Sequence, residues 1–402
     1  MSHFANLKKF IDSSPTSLFC AYTMAQHLEK NGYKLFEFHK DAPLPIGEKI
    51  YLRHKGLIGA FCLPKTLKKA KYLLAHTDSP CLKLKPHPLI KAFGMNFLAC
   101  EPYGSPLLSS YLGKPLRLAG QIALDTPHGI ELKNVALSRT FIIPDPAIHL
   151  SKEANAALDK GKLHALVSIN EDLTLGQLLE IEGKILGHDL YLTLDEPLVE
   201  IGSSQKLFAG PRLDNLSSCY ALLETLTNLK CSSDTLYGAL FFDHEEIGSE
   251  TFDGAKSHFF KKRIKKIIDS YHTESMIDVK SQAYSLDVAH ANHPSYPEKF
   301  DIEHPILLGG GLVLKHHSQH KYAQDLELFA MAKKLCPKTQ TFTMRNEVGT
   351  GSTLGPYFSS LFSIATQDVG IPLLGMHSTT EIIAEEDLKN LIDFAKGFYH
   401  GL

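Results

Sequence analysis

The chain has 402 residues, of which 44% are hydrophobic, and a formal net charge of −2 at pH 7. This length predicts about two or three domains, and the small charge excludes a global field that would attract nucleic acid or an anionic membrane. The seven cysteines are scattered without a CxxC pair, and no segment has the apolar run of a secretory signal or a membrane span, so we expect a cytoplasmic protein with reduced thiols.

The predicted elements divide the chain into an interrupted α/β domain and an insert. Ser13, Ser14 and Pro15 predict the start of a first helix that runs towards Gly32. Residues 86–206 contain short alternating runs separated by Gly, Pro and Asp, which predicts an inserted β-rich domain. Residues 1–85 and 207–402 show longer alternation of strands and helices, so we predict that they form one discontinuous α/β domain.

Metal-ligand residue types stand at five predicted element boundaries that are far apart in the sequence. A buried strand at residues 235–242, for example, leads into two adjacent carboxylates. The five positions are His76, Asp214, the pair Glu245 and Glu246, Asp287, and His377. Because ligands in open α/β sheets bind beyond the carboxyl ends of the strands, we expect these side chains to meet. Together they predict a co-catalytic centre of two metals with one bridging carboxylate.

Spacing predicts how some of these residues work. Residues two apart on a strand face the same side, so Asp78 is expected to orient the imidazole of His76. Adjacent residues on an extended chain point apart, so one of Glu245 and Glu246 is expected to bind metal and the other to act as a general base. Two histidines with three carboxylates suit Zn²⁺, although Co²⁺ and Mn²⁺ are compatible with the same ligands.

Each position alone has an ordinary structural interpretation. A single histidine often satisfies a hydrogen bond in the core, and an acid pair after a strand commonly lies in a solvated loop. The glycine-rich run at residues 349–355 lacks the Lys-Ser/Thr of a phosphate-binding loop, and the basic run at 261–266 is predicted to be a solvated helix face. The coincidence of five positions favours the metal centre.

The same residues lie in sequence blocks that resemble the aspartyl aminopeptidases, a family of metallo-aminopeptidases. The blocks are AHTDSP (75–80), EPYG (101–104), PDPAIHL (144–150), GPRLDNLSSCYALLE (210–224), FFDHEEIGSETFDGA (241–255), SLDVAHANHPSYPEKF (285–300), GSTLGP (351–356) and DVGIPLLGMHS (368–378). The resemblance spans almost the whole chain, and DHEEIGS and DVAHANHPSY are its most specific motifs.

The resemblance implies a mixed sheet flanked by helices, of the co-catalytic metallopeptidase type, with residues 86–206 as an oligomerisation domain. It implies that Asp214 bridges two metals. It assigns His76 and Asp287 to one metal, Glu246 and His377 to the other, Glu245 as general base and Asp78 as the aspartate behind His76. It also implies that His149 reaches a neighbouring subunit's active site, and that Lys315 and Tyr322 form a basic pocket for an acidic side chain.

The implied function is removal of an N-terminal Asp or Glu from peptides by a homo-oligomer, a tetrahedral dodecamer. A related two-metal amidohydrolase, such as a deacylase or carboxypeptidase, is one alternative, and a non-catalytic shell-forming protein is another. The family has an arginine before the glutamate in this segment, but here the run is Ser378, Thr379, Thr380 and Glu381. The resemblance therefore does not define the rim of the specificity pocket. From the sequence alone, Lys315 is predicted to be an ordinary surface lysine.

Overall fold

The computed structural model of the protein describes residues 3–38, 43–147, 160–203, 206–271 and 280–401. The chain divides into two compact units. The first comprises Met1–Asp78, Leu198–Met376 and Glu381–Leu402, and the second comprises Ser79–Pro197 and His377–Thr380. The sequence analysis placed the junctions slightly later, after residues 85 and 206. His149 lies outside the described residues.

The helices and strands of the described residues are as follows. The α-helices are α1 (Phe4–Asp12), α2 (Ser17–Lys30), α3 (Leu175–Leu179), α4 (Leu213–Leu226), α5 (Phe259–Asp269), α6 (Leu326–Leu335), α7 (Leu354–Phe362) and α8 (Glu385–His400). The strands are β1 (Lys34–Leu35), β2 (Lys49–His54), β3 (Leu57–Cys62), β4 (Lys69–His76), β5 (Cys81–Ala92), β6 (Met95–Tyr103), β7 (Leu116–Thr126), β8 (Gly129–Phe141), β9 (His164–Ile169), β10 (Lys184–Leu194), β11 (Val199–Ile201), β12 (Leu207–Gly210), β13 (Thr235–Phe242), β14 (Lys280–Leu286), β15 (Ala289–His290), β16 (Leu312–Lys315), β17 (Thr339–Phe342), β18 (Ala365–Gly370), β19 (Pro372–Leu373) and β20 (Glu381–Ala384).

Within the described residues, nine strands of the first unit form one mixed sheet in the order β1-β2-β3-β13-β4-β14-β18-β16-β17. The four adjacent strands β13, β4, β14 and β18 run parallel, whereas β3 and β16 are antiparallel to their neighbours in this group. In this register Phe242, the last residue of β13, lies opposite His76, the last residue of β4. The mixed α/β fold is therefore confirmed, and it brings the carboxyl ends of the parallel strands to one edge.

The central strands bury both of their faces, since side chains alternate across a sheet. On β4, Leu73 and Ala75 join a core formed with α1, α2, α4, α6 and α8. The alternate residues of β4, Tyr72 and Leu74, join a second core formed with α5 and α7 on the opposite face. This double burial explains why the central strands appear in the sequence as continuous apolar runs.

The N-terminal helices correct one sequence prediction. The segment at residues 13–15 does not start the first helix but separates α1 from α2. Helix α1 was not predicted, although Leu7, Phe10 and Ile11 have helical spacing and are buried. Their burial against the first core stabilises a helix that has no capping side chain at its start.

The described part of the second unit is built on a six-stranded antiparallel sheet in the order β8-β7-β10-β5-β6-β9. One face of this sheet carries a core that includes Leu118, Leu190 and Leu192. Nowhere in the described ranges is a helix both long and apolar enough to cross a membrane.

Candidate metal centre

Three of the predicted ligand positions converge because two neighbouring strands and the start of α4 carry them. His76 ends β4, and Asp287 directly follows β14, which pairs in parallel with β4. Asp214 lies at the start of α4 in a non-helical backbone conformation, and its neighbour Asn215 donates a hydrogen bond to the carbonyl oxygen of Leu286 at 2.8 Å. The start of α4 is thus tied to the end of β14.

The resulting cluster has the dimensions of a metal site. The Nε2 atom of His76 lies 3.4 Å from Oδ1 of Asp214 and 3.5 Å from Oδ1 of Asp287. Ligand atoms about 2.0–2.2 Å from a tetrahedral zinc ion lie about 3.3–3.5 Å from one another. His76 is only 1% exposed and Asp214 only 4%, so these donors are shielded from bulk water. The donor set therefore fits a zinc ion without rearrangement of these two distances.

Asp78 connects the histidine to the acidic pair. Its backbone oxygen lies 3.1 Å, and its Oδ1 atom 3.3 Å, from Nδ1 of His76, which leaves Nε2 directed at the other carboxylates. The two carboxylate oxygens of Asp78 also accept the backbone N–H groups of Glu245 and Glu246, each at 3.1 Å. One buried carboxylate therefore fixes both the imidazole and the turn that carries the glutamates.

The glutamate pair corrects the backbone assumed in the sequence analysis. Glu245 and Glu246 do not lie on an extended chain but in a short 3-10 turn, Glu245–Ile247, which follows His244 in a left-handed conformation. A ligand atom from each glutamate comes within 4.8 Å of the other and of His76. Both carboxylates consequently face the cluster, and their division into ligand and base stays a prediction.

The electrostatics of the cluster favour a cation. Burial raises the pKa of Glu246 well above its ordinary value, and the carboxylates of Asp214 and Glu245 raise it further. Burial likewise raises the pKa of Glu245 to about 8. Burial alone would lower the pKa of His76, but its hydrogen bonds with three aspartates hold that pKa well above the ordinary value. So many buried carboxylates are stable together only with added positive charge.

Lys315 contributes one such charge. Its side chain is buried, only 3% exposed, and its Nζ atom lies 3.0 Å from Oδ2 of Asp287. The sequence-based prediction of an ordinary surface lysine is therefore wrong. Burial would raise the pKa of Asp287, but Lys315 and His76 outweigh burial and hold it below its usual range. Lys315 also lies 5.4 Å from the centre of the Tyr322 ring, where a cation–π contact is favourable.

The comparisons with known proteins identify the family. The family model described as "Aminopeptidase I zinc metalloprotease (M18)" matches residues 10–399. The chain belongs to the M18 family of zinc metallo-aminopeptidases. A probable M18 family aminopeptidase 2 of Pseudomonas aeruginosa is 31% identical over 97% of this chain and 96% of its own length. The predicted resemblance to a metallo-aminopeptidase family is confirmed.

Solved structures show the same fold. The structure of the Ape4 and Nbr1 complex gives a TM-score of 0.89 at 25% identity, and covers 98% of this chain and 85% of that chain. The mApe1 dodecamer of S. cerevisiae gives a TM-score of 0.83 at 22% identity, covering 99% of this chain and 96% of that chain. The M18 fold thus extends over essentially the whole chain.

Two remaining predicted site residues of this M18 chain occupy different places. Tyr322 is buried beside Lys315, and its hydroxyl shares a hydrogen bond with Thr350. His377 groups with the second unit, where its Nδ1 atom lies 3.0 Å from the carbonyl oxygen of Ser105. Its metal role stays a prediction.

Glu381 contacts the candidate centre, although it was not among the predicted site residues. Glu381, only 2% exposed, accepts the backbone N–H of Asp214 through Oε2 at 2.9 Å. It reaches Asp214 because β20 pairs with β12, which places Glu381 opposite Gly210. This pairing joins segments about 170 residues apart, so no local sequence pattern could have indicated the contact.

Proposed function

We propose that this M18 aminopeptidase holds two zinc ions and removes an acidic residue, Asp or Glu, from the N-terminus of peptides. The observation that carries the proposal is the convergence of His76, Asp214 and Asp287 with the glutamate pair, beside the buried cation of Lys315. Bound zinc supplies Lewis acidity, which polarises a carbonyl group and lowers the pKa of water.

In this proposal Asp214 would bind both ions. His76 and Asp287 complete the first site, which the ligand distances of 3.4 and 3.5 Å support. Glu246 and His377 hold the second ion, an assignment that follows from the resemblance and from the place of His377 directly after Met376 in the chain. Asp78 keeps the imidazole of His76 oriented through Nδ1.

Glu245 is the proposed general base. It accepts a proton from the attacking water and delivers that proton to the leaving amine. Its backbone N–H is held by Asp78, and its carboxylate shares the pocket with His76 and Glu246, so it lies within reach of the reacting atoms. A carboxylate that is positioned by its own backbone loses little entropy when it takes up this role.

Lys315 is the proposed receptor for the substrate's acidic side chain. Its ammonium group carries three donors, and the contact with Asp287 occupies one of them. The Asp287 and Tyr322 neighbours outweigh burial and raise the pKa of Lys315, so the group stays charged at neutral pH. A buried ammonium that keeps donors available is suited to a charge-assisted hydrogen bond with a substrate carboxylate.

Aminoacyl substrates that carry Asp, Glu, Ala or Leu test the proposal, with and without a zinc chelator. We expect chelator-sensitive turnover that is fastest for Asp or Glu. Lys315→Ala should lower kcat/KM for the acidic substrates by about 10–100-fold, and for Ala or Leu by much less, because a charged hydrogen bond is lost. Zinc content is measured in parallel because Lys315 also contacts Asp287.

Lys265→Ala is the matched control, since Lys265 is an exposed lysine that pairs with Asp269 on α5. An equal loss on all four substrates at full zinc content would assign Lys315 a structural role. Wild-type preference for Ala or Leu would refute acidic specificity but leave the aminopeptidase class intact. Turnover of acylated or C-terminal substrates alone would instead favour a deacylase or carboxypeptidase.

We also propose that the chain works as a homo-oligomer, and as a dodecamer in particular. The yeast mApe1 dodecamer shares its fold, and the aspartyl aminopeptidase resemblance implies the same assembly. In such an assembly His149 would act in a neighbouring subunit's active site. A cytoplasmic location is proposed from the scattered, unpaired cysteines.

A further inference from the structure

Two cysteines far apart in the sequence meet at the end of β3. Cys62 is the last residue of β3, and Cys231 lies in the segment between α4 and β13. The two side chains lie close enough that each cysteine shifts the pKa of the other. The Sγ atom of Cys231 also lies 3.6 Å from the carbonyl oxygen of Glu48, which accepts the N–H of Leu63 at 2.9 Å. Cys231 and the residue that follows Cys62 are therefore held by the same backbone oxygen.

The backbone segments that follow the two cysteines are hydrogen-bonded to each other. The N–H of Thr66 donates to the carbonyl of Ser233 at 3.0 Å, and that of Lys68 donates to the carbonyl of Asp234 at 2.8 Å. These bonds join the segment that follows Cys62 to the segment that follows Cys231. The two backbone segments are consequently already joined next to the place where the sulfurs would form a bond.

The two thiols differ in reactivity. Cys231 is half-buried, whereas Cys62 is fully buried with its Sγ atom 3.3 Å from the hydroxyl of Tyr33. The hydrogen bond from Cys62 lowers the pKa of Cys231 despite partial burial, and the positive charge of Lys49 lowers it further. The pKa of Cys62 is raised, first by Cys231 and then by burial. Cys231 is thus the accessible thiol with the greater thiolate fraction.

We propose that Cys231 and Cys62 form a peroxide-reactive dithiol that closes into a disulfide between β3 and the α4–β13 segment. The Cys231 thiolate attacks hydrogen peroxide, an S–O bond forms as the O–O bond breaks, and the released hydroxide takes up a proton to give water. The thiol of Cys62 then attacks the resulting sulfenic acid. An S–S bond forms, and the hydroxyl leaves with the Cys62 proton as a second water. Two thiols are oxidised while one peroxide is reduced.

The chain contains its own control pair. Cys20 and Cys219 are also close neighbours, but both are fully buried. Cys219 donates to the backbone oxygen of His76 at 3.0 Å. Because neither thiol is accessible to peroxide, the two should stay reduced although they are neighbours.

The proposed disulfide lies away from the metal centre. Cys62 pairs with Tyr237 of β13, whereas the metal centre lies at the other end of that strand, beyond Phe242. At about 3.3 Å per residue, five residues correspond to about 17 Å. We therefore expect oxidation to leave kcat for peptide hydrolysis unchanged and to raise the midpoint of thermal unfolding, because the bond closes a long loop of the unfolded chain.

The test treats the zinc-loaded, full-length protein with hydrogen peroxide, denatures it with iodoacetamide and maps its peptides without reduction. The expected product is lighter by two hydrogen atoms and links the peptides of Cys62 and Cys231, while Cys20 and Cys219 are alkylated. Dithiothreitol should reverse the link, and Cys231→Ser should abolish it and leave Cys62 alkylated.

Three results would overturn the proposal. One is oxidation of Cys231 to the sulfinic acid while Cys62 stays reduced. Another is a dominant link between Cys20 and Cys219, or between two chains. The third is no link at peroxide doses that fully oxidise free glutathione in the same tube. Because the main measurement uses the wild-type protein, it does not depend on how well Cys231→Ser folds.

Discussion

Asp78 shows how one residue can organise the candidate metal centre. Its carboxylate faces the imidazole of His76 and also accepts the two N–H groups of the glutamate turn. The position of a ligand and the position of the proposed base are therefore set by the same buried side chain. The proposed roles of Glu245 and Glu246 therefore differ only in whether the carboxylate accepts a proton or binds metal.

The Glu245→Gln and Glu246→Gln variants separate those roles. Glu245→Gln keeps the size of the side chain but removes its proton acceptor, so kcat should fall by about 10²–10⁴-fold with zinc content near wild type. Glu246→Gln should lose zinc instead, since a neutral amide is a poorer ligand than a carboxylate. Zinc analysis with kinetics on both variants decides the matter, and the reverse pattern would exchange the two assignments.

Single residues were predictable where the signal was local. The strand-end positions of His76 and Asp287 could be predicted because His76 ends β4 and Asp287 directly follows β14, each after apolar residues that are visible in the sequence. The burial of Lys315 and of Glu381 could not be predicted, because it depends on contacts with distant segments. The turn at Glu245 was also missed, since the left-handed backbone of His244 has no signature in its residue type.

At the scale of elements, α8 is joined to a glycine loop through one carboxylate. Asp387, in the first turn of α8, is fully buried. It accepts the N–H groups of Gly309 at 2.6 Å and of Gly311 at 2.7 Å. Gly311 has a φ of +90°, and a Cβ atom there would lie 2.2 Å from the backbone oxygen of Lys338, so only glycine fits.

Asp387 should make stability depend on pH. Burial raises its pKa from 3.8 to about 6, so the folded chain binds a proton more tightly than the unfolded chain. The contribution of Asp387 to the free energy of unfolding is fully present below about pH 4. It is lost as the pH rises through about 6, which lowers that free energy by about 3 kcal/mol. When the free energy of unfolding is measured with denaturant between pH 4 and 7, it should decline less for Asp387→Asn than for wild type.

The neighbouring variant Glu386→Gln is the control for this comparison. Glu386 is exposed and its pKa is lowered by Lys338, so its loss should not reduce the decline. If Asp387→Asn and the wild type decline in parallel over this range, the buried carboxylate does not titrate as described.

Elements with a strong pattern were predicted well. The strand predicted at residues 235–242 matches β13, because both of its faces are buried and every residue is apolar or small. Within the predicted β-rich insert, the sequence has two separate alternating runs, at residues 129–135 and 140–143, which are largely one strand, β8. As the exposed edge of its sheet, β8 carries polar residues that resemble a break in the sequence.

At the scale of the whole molecule, assembly is the main open consequence of the M18 fold. The proposed role of His149 makes activity depend on contact between subunits. Mixing two inactive variants, Glu245→Gln and His149→Ala, under conditions that exchange subunits should restore part of the activity. A mixed interface then pairs an intact Glu245 with an intact His149. The measurement is turnover of an acidic aminoacyl substrate before and after exchange.

Exchange itself is verified with two affinity tags, and a mixture of two Glu245→Gln preparations serves as the control that should stay inactive. Proven exchange with no recovered turnover would make each chain a self-sufficient catalytic unit. Full activity of isolated monomers would lead to the same conclusion.

The central claim is that His76, Asp214, Asp287 and their neighbours form a two-zinc centre that carries out peptide hydrolysis. The most direct measurement is the zinc content of purified wild type and Asp214→Ala, together with turnover of aminoacyl substrates. Because Asp214 is proposed to contact both ions, the variant should hold fewer than two zinc ions per chain and show no detectable turnover. An Asp214→Ala protein with two bound zinc ions and wild-type turnover would contradict the proposed role of Asp214 in a two-zinc centre.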